Sequence, residues 1–286
     1  MYLCINKVIK TMETKKKYEL NSETIEIDGT ILHRIKALKD FSDVKAGDLG
    51  GWIEKEDNLS QSGDAWIGGD AKVYSDAVVF GNARVDENAV VFGQAKVYDN
   101  ARVDGNTQVS DGAEISDNAV VFGNAEIYGN AQVYGNASIF SKSKVCDNAK
   151  VSGDTLVCGK ANIYGNAWVY DNARVHGDAQ VYGNAWVYGH AIVEGNAEIC
   201  GNAGVYGKAE ICGDAVVKNN EDYIVFKNFW GSGRHFTWTR SNNMWKAGCF
   251  YGTGEELIEK AYADSETSGI ECEKIVRLTE STLADK

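Results

Sequence analysis

The chain has 286 residues, with 29 Lys and Arg against 41 Asp and Glu and a formal net charge of −12. That balance excludes a nucleic-acid partner, which needs a basic face; the one basic run is Lys15-Lys16-Lys17. No apolar run approaches the roughly 18 residues of a membrane span, and no secretion signal precedes the seven cysteines, so a reducing, cytoplasmic setting and no membrane partner are expected. Proline is absent altogether. A backbone whose N–H groups are mostly committed to ladder hydrogen bonds tolerates proline poorly.

In chain order, residues 1–17 read as a disordered extension outside the fold, with METKKKYEL from Met12 the more natural start. Residues 18–64 read as an N-terminal cap. Thr24–Ile27, Asp28-Gly29 and Thr30–Leu32 give strand, tight turn, strand, a strong hairpin signal. The following GDLGGWIEKEDNLS, Gly47 to Ser60, is glycine-rich but lacks the Lys-Ser/Thr of a phosphate loop, so it reads as a lead-in turn.

From Ala65 the sequence repeats every six residues to Val217, through 26 hexads without an insertion. The first position is Ala except at Thr107, Ser143 and Thr155; two residues later stands Val or Ile every time. Ala-x-Val-x alternates inward and outward with the period of a strand. The two remaining letters, Gly or Asp then Asn or Asp, tolerate positive φ and make a corner. Three strands and three corners close a coil of 18 residues, and coils stack as parallel strands about 4.8 Å apart. The fold class is therefore an all-β solenoid of about 8–9 coils over 65–218, a rod on the order of 40 Å long.

Residues 219–286 form a small α+β cap. Tyr223–Phe229, Arg234–Arg240 and Lys246–Tyr251 read as three strands. Thr253 with Glu256 is a capping box opening one helix, and Ser268 with Glu271 another near Ile270–Leu283. GSGRH, Gly231 to His235, carries a cation and an imidazole; it reads as a hairpin turn, with an anion site as the alternative.

The GNA-rich period resembles the hexapeptide-repeat, left-handed parallel β-helix proteins, and the resemblance implies the left hand. With GDLGGWIEKEDNLS before it and DYIVF…GCFYGTGEEL after it, the chain is similar to a group of phage- and prophage-associated repeat proteins, some labelled transferases and others polymer-forming. Hexapeptide-repeat enzymes are acyltransferases that use coenzyme A or a carrier protein, with a His base at a trimer interface. That implication makes His176 and His190 the candidate catalytic residues. His176 follows an inward Val and points outward; His190 takes a corner position normally held by Asn. The uninterrupted count leaves no extruded loop to build a concave pocket, and ligand sites are concave, so both read first as surface residues.

Cys146 and Cys200 are 54 residues apart, as are Cys158 and Cys212. Three coils separate each pair by roughly 14 Å, which excludes a disulfide or a shared zinc; no metal is expected. Ice binding needs outward Thr rows, and the outward positions are Lys, Arg, Val, Trp, Tyr, Phe and Glu.

Residues 18 apart stack. One face carries Phe80, Tyr98, Tyr134, Tyr170, Tyr188 and Tyr206 in one column and Trp168 and Trp186 in the other. Together with Arg234, His235 and Trp238 of the cap, these are the candidate binding or interface residues, because large exposed apolar patches mark interfaces. The reading is a non-catalytic, rigid binding or scaffold protein. It is expected to pair with itself as a homodimer or homotrimer, and to engage a protein of the bacterial host or a small ligand. It needs no cofactor. The alternative is an acyltransferase using coenzyme A at a subunit interface.

Overall fold

A computed structural model describes residues 16–284. It begins with a long hairpin, β1 (Tyr18–Ile27) and β2 (Thr30–Ala37), followed by β3 (Leu49–Ile53) and a short 3-10 turn at Glu56–Asn58. Twenty-six two-residue strands follow, from β4 (Trp66–Ile67) to β29 (Val216–Val217). They form three parallel sheets in which each strand pairs with those 18 residues before and after it, as Gln132 pairs with Glu114 and Lys150. The N-terminal hairpin belongs to the same construction: β3 is antiparallel to β2 on one side and parallel to Lys72–Val73 on the other. The parallel β-solenoid read from the hexads is the fold observed. The strands are two residues long rather than four, because the turn consumes more of each hexad.

The interior is uniform. All 26 Val and Ile are fully buried, including Val133, Val151 and Val169. Each stabilises the rod by roughly 1.5–3 kcal/mol before chain entropy is subtracted. The three hexads without Ala put a hydroxyl inside, and each finds a carbonyl three residues back: Thr107 Oγ1 to Asp104 O at 2.6 Å, Ser143 Oγ to Phe140 O at 2.8 Å, and Thr155 Oγ1 to Ser152 O at 2.5 Å. A buried hydroxyl is tolerated here because its donor is used.

At the corners the two turn letters divide the work. Only the first adopts the left-handed conformation, as at Gly129 (φ 71°), where a Cβ would also lie 2.8 Å from the Asp147 amide nitrogen of the next coil. The Asn in second place was expected to share that conformation and does not. Its side chain instead donates to the Asn one coil on: Asn82 to Asn100 to Asn118 to Asn136 to Asp154 along one edge. Asn130, Asn148, Asn166, Asn184 and Asn202 form a second such row. Where Asp takes the first letter and Gly follows one coil on, the carboxylate accepts that coil's amide, as Asp147 does from Gly165 at 3.0 Å.

Each end of the rod is a sheet edge, where parallel strands present both N–H and C=O groups. At the C-terminal edge the last strand of each sheet has an N–H that meets a side-chain oxygen: Gly204 N donates to Asn220 Oδ1, Glu210 N to Thr237 Oγ1, and Val216 N to Ser241 Oγ, while Gly204 O accepts from the Tyr223 hydroxyl at 2.9 Å. At the N-terminal edge, carbonyls of the first coils meet side-chain donors. Asn58 Nδ2 donates to Ser75 O and Ala77 O, and Lys17 Nζ to Ala65 O at 2.7 Å.

Lys17 corrects the expected boundary. Of the extension expected over residues 1–17, residues 1–15 lie outside the described residues, but Lys16 and Lys17 are placed, and Lys17 is fully buried. Its ammonium lies 5.2 Å from the Phe41 ring centre, and burial lowers its pKa from the ordinary 10.5 to about 8.

The C-terminal cap has its own core of Phe236, Trp238, Trp245, Leu257, Cys272 and Val276 among others. It holds four antiparallel strands rather than three: β30 (Tyr223–Lys227), β31 (His235–Thr239), β32 (Met244–Ala247) and β33 (Phe250–Gly252). The helices α1 (Gly254–Asp264) and α2 (Glu266–Ala284) pack together against them. Thr253 and Glu256 make the expected capping box. The expected second box at Ser268 is displaced: α2 starts earlier, and Ser265 Oγ accepts from Ser268 N at 3.2 Å.

Two measurements check this account. Val133→Asp places a charge where nothing polar waits and is expected to lower stability by more than about 4 kcal/mol in urea denaturation, while Gln132→Asp, one residue away and outward, changes little. For Lys17, the unfolded state holds the extra proton between pH 8 and 10.5, so its contribution to stability rises with pH across that window. The difference in unfolding free energy between the wild type and Lys17→Met should grow from about pH 8 upward; a flat difference refutes the burial of this amine.

Candidate functional site

The repeat dictates where side chains gather, so the informative places are those where outward letters change. On the face of the predicted aromatic columns, Phe80 and Tyr98 stack at 4.9 Å between ring centres, and Ser116 and Ser152 then isolate the half-buried Tyr134. From Tyr170 the column is unbroken. Tyr170 stacks on Tyr188 at 4.9 Å, Tyr188 on Tyr206 at 5.3 Å, and Tyr206 meets the edge of Tyr223 from the cap at 6.5 Å. Beside it Trp168 lies 4.6 Å from Tyr170 and 6.3 Å from Trp186. The next residue in the Trp column is Gly204, which offers no ring to stack on Trp186; Trp186 is 50% exposed and Tyr206 49% exposed. The structure thus brings Trp168, Tyr170, Trp186, Tyr188 and Tyr206 into one patch and leaves Phe80, Tyr98 and Tyr134 apart from it.

A neighbouring corner changes character over the same coils. The Asn row that runs through Asn136 ends on Asp154, and the following places are Asn172, His190 and Lys208. Asn172, His190, Lys208, Arg174 and Glu210 line a shallow groove of about 670 Å3. A second depression of about 470 Å3, lined by Lys208, Tyr206, Tyr223 and His235, adjoins it at Lys208. Burial and the nearby Lys208 and Lys227 hold the His235 imidazole below its usual pKa.

The charge pattern also changes along this edge. Near the N-terminus, Arg84 pairs with Asp86 and Asp43, and Arg102 with Asp104. Two residues beyond Arg174 stands His176 instead of Asp, and Arg174 and Lys208 make no ion pair among the described residues. Periodicity alone hid this edge; reading one corner letter every 18 residues exposes it.

The two candidate histidines part company. His190 is exposed in the groove. His176 faces Glu194 at 3.6 Å, and Glu194 also accepts from Lys246 of the cap at 3.0 Å, so this cluster ties the rod to its cap. Trp238, expected as a binding residue, is 2% exposed with its indole N–H on Asn243 Oδ1 at 2.9 Å; it is core and corrects that reading. The cysteines expected to face outward as small fillers are mostly covered: Cys146 shares a column with Tyr128 and Tyr164, and burial raises its thiol pKa. Arg234 and His235 are neighbours in sequence but line different depressions, Arg234 ending the turn and His235 opening β31.

A family profile described as YdcK Beta solenoid repeat matches residues 95–111, 161–177 and 179–195. A protein of Escherichia coli (strain K12) named uncharacterized acetyltransferase YdcK is 43% identical over 60 residues, covering 18% of this chain and 18% of that protein. The match therefore spans under a fifth of the relative's length. Two of the matched repeats contain Trp168, Tyr170, His176, Trp186, Tyr188 and His190. Among the described residues no helix is long and apolar enough to cross a membrane.

Stacking predicts a contrast within one column. Tyr188→Ala removes two ring partners and is expected to cost about 1–3 kcal/mol beyond lost area, whereas Tyr134→Ala, flanked by serines, loses no ring pair. Chemical denaturation of the two variants checks it; equal losses contradict the stacking account.

Proposed function

We propose that this repeat β-solenoid protein is a non-catalytic binding rod whose recognition surface is its last three coils, where the aromatic columns meet the cap. The observation that carries this reading is the half-exposure of Trp186 and Tyr206 at the end of an otherwise stacked ladder. Trp186 is held by Trp168 on one side and Tyr206 by Tyr188 and Tyr223, so these rings present area at low entropic cost on binding. The surface serves self-association as a homodimer or homotrimer, and beyond it a host protein or small ligand. The resemblance to phage-associated repeat proteins supports the host as the source of that partner.

A second reading is favoured by one observation: an imidazole and an ammonium, His190 and Lys208, line a groove where the repeat calls for asparagine. With the acetyltransferase named above as a relative, this supports acyl transfer from coenzyme A, with His190 as the base and a neighbouring subunit closing the groove.

One pair of variants separates the readings. Trp186→Ala/Tyr206→Ala should fold normally and sediment as a smaller species than the wild type. His190→Ala should leave sedimentation unchanged. If the aromatic variant assembles like the wild type, the binding-rod reading fails. If the wild type releases coenzyme A from acetyl-coenzyme A and His190→Ala does not, the enzyme reading replaces it.

A further inference from the structure

The cap encloses a cavity that neither reading above uses. It lies between the four-stranded sheet and the helix pair, and its volume is about 90 Å3. Phe236, Phe250, Leu257 and Ala261 give it an apolar floor. Its polar members have unused capacity. Asn228 is 7% exposed, and its Oδ1 has no hydrogen-bond partner. A buried acceptor left unsatisfied costs roughly 1–3 kcal/mol and calls for an explanation. At the rim stand Arg234 of the GSGRH turn and, one helical turn apart on α1, Lys260 and Asp264. None of these three makes an ion pair among the described residues.

From this set we infer that the cap cavity binds a small α-amino acid. The carboxylate meets the cations Arg234 and Lys260, the ammonium donates to Asn228 Oδ1 and Asp264, and the short side chain lies on Phe236 and Leu257. A simple carboxylate leaves both Asn228 Oδ1 and Asp264 without a partner; a simple amine leaves both cations so. The volume is below the roughly 150 Å3 that admits benzene, which restricts the ligand to the size of glycine, alanine or serine. The site is independent of the aromatic face, since Arg234 lines this cavity while His235, the first residue of β31, lines the depression beside Tyr206.

The test is titration of the full-length protein with L-alanine, propionate and ethylamine, followed by heat and by tryptophan fluorescence; Trp230 lies 6.1 Å from Phe236 at the cavity wall. L-alanine should bind saturably and at least tenfold more tightly than propionate or ethylamine. Asp264→Asn and Arg234→Ala should each weaken it about tenfold or more, as expected when a charged hydrogen-bond partner is lost. Ala261→Leu should fill the cavity and abolish binding with the thermal midpoint retained. Absence of saturation, meaning a cavity holding only water, overturns the inference. So does propionate binding as tightly as L-alanine, or binding indifferent to Asp264→Asn. Sedimentation of the same samples reports separately on the aromatic face.

Discussion

Every feature of the rod follows from the hydrogen-bond register between coils. An amide in one coil reaches a carbonyl in the next, as Gln132 N reaches Ala149 O, and this holds only if every turn consumes the same number of residues. One inserted residue would rotate each following side chain to the wrong face. Constancy of the hexad count is thus the condition under which Val and Ile stay inside and the columns outside stay in line.

The same register explains what is placed on the surface. Identical residues fall above one another, so any side chain that satisfies its copy is reinforced in every coil: Asn amides bond in rows and tyrosine rings stack in columns. Charges behave in the opposite way, because like charges stacked at strand spacing repel. The rod manages this with pairs between coils such as Lys96 with Glu114 and Lys144 with Glu126. Against that background, the unpaired Arg174 and Lys208 and the open face of Trp186 mark the coils nearest the cap as different from the rest.

Stacking also leaves an unpaired strand edge at each end of the rod. The protein answers with donors from Asn58 and Lys17 at one end, and at the other with acceptors from Asn220, Thr237 and Ser241 and the donating hydroxyl of Tyr223. Both ends are thereby closed to end-to-end growth, which sheet edges otherwise invite. The C-terminal cap does this with Thr237 of β31 and the flanking Asn220 and Ser241, while keeping a separate core and cavity behind them.

The sequence by itself determined the solenoid, its 26 strands, its aliphatic interior and the ring pairs that fall 18 residues apart, since a period of six with Val or Ile always in place alternates side chains in and out in every coil. It also identified Thr253 and Glu256 as a helix start, because that signal is local. Tertiary structure alone decided what depends on contacts between distant segments. Lys17 enters the fold because the first coil exposes carbonyls that only a reaching donor can satisfy. Trp238 is core rather than surface because helices α1 and α2 cover its strand, which periodicity in that strand cannot reveal. Asn at the corner works through its neighbour 18 residues away rather than through its own backbone. His176 and His190, both candidate bases by resemblance, separate because one meets Glu194 and the cap while the other looks into an open groove.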